Sequence, residues 1–163
     1  MRDLGFTNDA HNGPICRWKM PYLGGTLKVD AIPINGEVLG FHNQWYEDAV
    51  KHSISYTLDD TLTIKILTLS YFLATKLEAF NNRGNRDFGA SQDMEDIIYV
   101  MENKTAIELV LFEQSNDKLK HYFKEQAIAL LANENFRNYL PGLLDNPDAE
   151  SEVLSVIKFM SNF

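Results

Sequence analysis

Two cations and three acids in this chain have the types and spacing that chemistry on a phosphate or a metal requires. Lys76 and Arg83 lie seven residues apart. On a helix that is nearly two turns, so both project from almost the same face about 10 Å apart, a cationic stripe of phosphate size. Asp93 and Asp96 lie three apart behind Ser91, a favourable N-cap, which puts both acids in the first turns of a helix. There they either offset the positive end of the helix dipole or act as acids in a site. Asp30 stands on a strand whose other flank holds Leu27, Val29 and Ala31. A carboxylate there is either solvated or, if buried, in need of a cation, metal or hydrogen-bond donor.

These residues need a strand region followed by helices, and the pattern supplies both. Apolar and polar residues alternate over 14–20, Gly24-Gly25 marks a turn, and 26–32 runs back as the second arm of a hairpin. Pro33 and Gly36 end it, and a segment with Phe41, Trp45 and Tyr46 leads to a second strand pair at 53–58 and 61–67, joined at Asp59-Asp60. The texture from Pro14 to about Ile66 is therefore β. From Ser70 the period turns helical: Leu73, Leu77 and Phe80 fall at i, i+4 and i+7, and Gly84 suits a left-handed C-terminal cap. A helix from Ser91 to about Asn103 follows, with Ile97, Ile98 and Met101 as its apolar side, and then helices near 105–114, 117–132, 135–144 and 149–160. The expected architecture is α+β, a small antiparallel or mixed sheet over 1–69 and a helical region over 70–163.

Composition narrows the function classes. At 163 residues and 45% hydrophobic content the chain can build a real core. Fifteen Lys and Arg against twenty-three Asp and Glu leave a net charge of −8, so the surface as a whole repels phosphate backbones, although a pocket needs only a few well-placed cations. One cysteine, Cys16, excludes an internal disulfide, and no apolar run approaches the roughly 18 to 20 residues of a membrane span. With no apolar signal core at Met1–Gly5, the expected compartment is the cytoplasm. His11, His42, His52 and His121 are scattered, which gives a Cys/His metal site little support.

Taken together the motifs carry a resemblance. Tyr71-Phe72-Leu73-Ala74-Thr75-Lys76-Leu77-Glu78-Ala79-Phe80, then Arg83-Gly84, Asp87, Ser91 and Asp93-Met94-Glu95-Asp96-Ile97-Ile98, resemble the signature of the AbiEii-type nucleotidyltransferases. Pro14-Ile15-Cys16-Arg17-Trp18, Val29-Asp30, Val38-Leu39-Gly40-Phe41, Asn43 and Trp45-Tyr46 resemble the preceding region of the same family, so the likeness spans about 4–103. The resemblance implies that Asp30 is a third metal-binding carboxylate, that Lys76 assisted by Arg83 holds the triphosphate, and that Asp93 and Asp96 are supporting or catalytic acids. It implies Mg2+ and a nucleoside triphosphate as cofactor and substrate, a tRNA-like acceptor, and an antitoxin partner. Two metals about 3.5 to 4 Å apart need several oxygen ligands. The family places a glycine turn and two spaced carboxylates ahead of the position of Leu4-Gly5-Phe6, and only three residues precede it here. Nucleotidyl transfer is therefore expected only where a complementing upstream polypeptide supplies that motif.

The alternative is a non-catalytic interaction protein. An incomplete sheet presents a free edge, which favours a homodimer under either reading. In the last helix Val153, Val156, Ile157 and Met160 form one apolar stripe, which serves either such an interface or the chain's own core.

Overall fold

The structure, a computed structural model, describes residues 1–8, 15–34, 43–83 and 86–163, without the side chain of Arg83. Pro14, Gly36, Gly84, the segment Val38–Phe41, His11 and His42 lie outside the described residues. The architecture is α+β, with the strands towards the N-terminus and the helices towards the C-terminus. By internal contacts the chain divides into two compact units, Met1–Asn43 and Gln44–Phe163.

The first unit is a three-stranded antiparallel sheet, β1 (Thr7–Asn8), β2 (Arg17–Tyr22) and β3 (Gly25–Asp30), in that spatial order. β2 and β3 form the expected hairpin, in a register running from Arg17↔Asp30 to Tyr22↔Gly25. Its turn is Leu23-Gly24, one residue earlier than the glycine pair suggests. Both residues take positive φ, 46° and 77°, as a two-residue turn that follows the twist of its strands requires. Gly24 takes that conformation without a steric penalty, which leaves Gly25 to open β3. Pro21 lies beyond the two-residue reach of β1, so its missing N–H interrupts no pairing on that side. None of the described residues before Asn43 is buried.

The second unit holds the core. It begins with α1 (Tyr46–Lys51), then the hairpin β4 (Ile54–Thr57) and β5 (Thr63–Ile66), then α2 (Leu69–Arg83), α3 (Gln92–Asn103), α4 (Ile107–Gln114), α5 (Asp117–Ala132), α6 (Glu134–Leu143) and α7 (Glu150–Met160). The second hairpin thus groups with the helices, and the division falls before α1. α1 corrects the reading of 14–66 as β throughout. It has only six residues, and its apolar anchors Trp45 and Ala49, each 1% exposed, make a single i, i+4 step that is too short to register as a period.

α2 lies at the centre, packed against α1, α3, α4 and α5. The expected stripe Leu73, Leu77, Phe80 is buried, together with Tyr71 and Ala74. α3 turns Met94, Ile97, Ile98 and Met101 inward, at i, i+3, i+4 and i+7. α7 packs on α3, α4 and α5, and its stripe Val153, Val156, Ile157 and Met160 is buried in the chain's own core. That face is not available as an interface, so core packing is the reading that holds. No helix among the described residues is long and apolar enough to cross a membrane.

Candidate functional site

The loop before α3 is fixed by its own side chains, and this sets where the acids of α3 fall. Phe88 is buried between Phe80 and Phe136, with ring centroids 4.9 and 5.6 Å away. Asp87 Oδ1 accepts the backbone N–H of Gly89 at 2.9 Å. A Cβ on Gly89 would stand 2.7 Å from the Tyr139 ring, so any larger residue there would require that ring to shift. Ser91 then caps α3, its Oγ accepting from Met94 N at 3.3 Å.

With α3 so placed, both of its candidate acids reach α2. Lys76 Nζ donates to Asp93 Oδ1 at 3.1 Å and lies 2.5 Å from Asp96 Oδ2. The Lys76 side chain is 24% exposed, that of Asp93 10% and that of Asp96 39%, so the triad sits at the rim of the α2–α3 seam. The Phe72 ring, with its centroid 5.8 Å from Nζ, adds a weak attraction for the ammonium. Burial works against the charge on Lys76, but the hydrogen bonds to Asp96 and Asp93 outweigh it and raise its pKa above the usual lysine value. The helix cap is supplied by Ser91, and the two aspartates serve as the counter-ions of Lys76.

Asp30 lies in the first unit at the end of β3. Arg17 opposes it in register and holds it bidentately, Nε to Oδ1 at 2.8 Å and Nη2 to Oδ2 at 2.7 Å. The Arg17 hydrogen bonds keep the Asp30 carboxyl below the usual carboxylate range. The structure thus brings Lys76, Asp93 and Asp96 together within the second unit and pairs Asp30 with Arg17 within the first. The Arg83 side chain lies outside the described residues. Among the described residues no group of three or more His, Cys, Asp or Glu side chains is placed to hold a metal ion.

As arranged, these side chains do not fit the groups that the resemblance implies. Mg2+ at Asp30 would have to displace a guanidinium bonded to both carboxylate oxygens. A triphosphate at Lys76 would meet two carboxylates already on the ammonium.

The other flank of α2 carries a polar network that sequence reading missed. Glu78 Oε2 accepts from Tyr122 Oη and from Gln44 Nε2, both at 3.0 Å, while Oε1 accepts from Asn82 Nδ2 at 3.0 Å. Asn81 Nδ2 donates to Gln126 at 2.7 Å. The partners on α5 are some 44 residues away in sequence, and the only signal was a cluster of amides and an acid on one helix. Burial, then the charge of Glu78, pushes the Tyr122 phenol far above its ordinary value of 10.0.

A raised pKa has a signed consequence for stability. The folded state keeps the Tyr122 proton while the unfolded chain gives it up, so the stabilisation is complete below pH 10 and is lost as pH rises above it. Lys76, also raised, acts in the same direction above 10.5. Denaturant titrations between pH 8 and 11.5 are expected to show stability falling by up to about 1.4 kcal/mol per pH unit for each group. Tyr122→Phe should flatten that fall; an unchanged slope would show that the phenol ionises as it does in the unfolded chain.

Comparison of the chain with family models, with curated proteins and with solved structures gave no match.

Proposed function

We propose that the chain is related to the AbiEii-type nucleotidyltransferases and that it transfers a nucleoside monophosphate from a triphosphate to an acceptor only when another segment supplies paired carboxylates. The observation that carries this reading is the convergence of Lys76, Asp93 and Asp96. They belong to two separate stretches of the motif pattern, and folding brings both aspartates within hydrogen-bond distance of Lys76. Asp30 enters only through the resemblance, as do Mg2+, a tRNA-like acceptor and an antitoxin partner. No Gly-Ser or Gly-Gly pair in the 163 residues is followed at the family's distance by two spaced aspartates, so two-metal chemistry lacks its ligands here.

The test is transfer of label from each α-labelled nucleoside triphosphate to tRNA with Mg2+. It compares the chain alone with the chain fused to an upstream-encoded segment bearing the glycine turn and paired aspartates. Label should appear only with the fusion and should disappear in its Lys76→Met form. Transfer by the unfused chain, or an inert fusion that is folded, ends the proposal.

A second reading, a non-catalytic protein that pairs with a second copy, is favoured by the β4–β5 hairpin. Ile54, Tyr56 and Ile64 on one face of it are 47%, 52% and 36% exposed, and a two-stranded sheet is marginal unless something covers it. Sedimentation equilibrium separates the readings: a dimer that Tyr56→Lys dissociates supports this one.

A further inference from the structure

Further along the seam between α2 and α3 the polar triad gives way to an apolar groove. The contacts there run antiparallel: Lys76 meets Asp96, and one turn back on α2 and one turn on along α3, Phe72 and Val100 line the groove together. Another turn on each helix brings Thr68 and Lys104 to a common end of it. Val110 of α4 and Ile54 and Ile66 of the β4–β5 hairpin complete the walls, around a volume of about 640 Å3 open to solvent. Clefts of this size that pair an apolar lining with a few polar groups are the usual form of a small-molecule site.

The polar groups gather at the Thr68 end, and they are mainly donors. Gln114 Oε1 accepts the backbone N–H of Leu69 at 3.1 Å, which orients the amide so that its NH2 group remains to donate. The Lys104 side chain is exposed, and no carboxylate among the described residues lies within salt-bridge distance of it. Glu102, Glu108 and Glu152 line a neighbouring cleft that Lys104 also borders, whereas no acid is among the described residues of the groove itself. Thr68 Oγ1 is buried without a hydrogen-bond partner, so this end holds polar capacity that the fold leaves unused.

We propose that the groove binds a straight-chain aliphatic carboxylate, with its head at Lys104 and Gln114 and its tail against Phe72, Val100 and Val110. An acid supplies what the lining lacks, an anionic acceptor at one end of an apolar body. The site uses no residue of the Lys76 triad and stands apart from nucleotidyl transfer. The competing occupant is a second copy of the chain, because Ile54 and Ile66 lie on the hairpin face that also bears Tyr56 and Ile64.

The probes are decanoate, decan-1-ol and butyrate, titrated calorimetrically below any micellar concentration into the full chain, Lys104→Met and Val110→Phe, with folding checked by circular dichroism. Decanoate should bind saturably, and butyrate, which has the head without the tail, should not. Lys104→Met should weaken decanoate about two- to fivefold, the worth of one exposed ion pair, and leave decan-1-ol unchanged. Val110→Phe puts a ring into the groove and should weaken both long chains at least about tenfold. A folded chain that does not bind decanoate overturns the proposal, and so does an equal effect of Lys104→Met on acid and alcohol. A dimer in sedimentation equilibrium that Val110→Phe dissociates and decanoate does not would give the groove to a second copy and end the proposal. Lys104 is exposed, so its variant keeps the measurement decisive if Val110→Phe does not fold.

Discussion

Lys76→Met lowers the stability of the chain by about 2 to 3 kcal/mol at pH 7. Methionine keeps an unbranched stem of similar reach along the α2–α3 seam, so most of the packing survives and the charge is what is lost. Asp93, whose side chain is only 10% exposed, is then left without its lysine in a place where water compensates poorly. Breaking a fully buried pair costs about 3 to 5 kcal/mol. The partial exposure of Lys76 and Asp96 puts this site below that range. Denaturant unfolding monitored by circular dichroism reads the change. A loss under about 0.5 kcal/mol, the size of an ordinary surface pair, would mean that the triad contributes no more than solvated charges do.

Phe88→Ala is the more damaging substitution, with an expected loss of about 3 to 4 kcal/mol. Phe88 is 4% exposed and tilts against Phe80 and Phe136. Truncation removes the transfer energy of an aromatic ring, its contacts with the Phe80 and Phe136 rings and the filling of a cavity between α2 and α6. It also loosens the loop that delivers Ser91 to its capping position. The Lys76 Nζ–Asp96 pair should therefore weaken, and with it the alkaline fall in stability that Lys76 contributes. Phe88→Leu, which refills most of the volume, should recover over half of the loss. Equal losses for Ala and Leu would place Phe88 outside the support of the core.

The helical half of the fold was legible because long amphipathic periods survive in any context. Leu73, Leu77 and Phe80 announced α2, and Ser91 announced the start of α3 to within a residue. The β2–β3 hairpin was legible from its glycines, although only backbone angles decide that Leu23 shares the turn with Gly24. α1 was not, since six residues carry one hydrophobic step and its burial comes from packing on α2. The candidate site divides in the same way. Residue types and local spacing singled out Lys76, Asp93 and Asp96, but their mutual pairing depends on how a turn containing Gly89 sets α3 beside α2, which no periodicity encodes. For Asp30 the sequence left solvation and ion binding open. The cross-strand position of Arg17 supplied a partner that only the register reveals.

The absence of buried residues among those described before Asn43 has a practical corollary for experiments. Cooperative melting signals arise from the heat capacity and enthalpy of apolar surface leaving water, and among the described residues the buried apolar side chains belong to Gln44–Phe163. A calorimetric trace will therefore report on the helices while remaining almost blind to the strand hairpin, and Asp30 or Arg17 variants must be followed by residue-resolved amide exchange or chemical shifts.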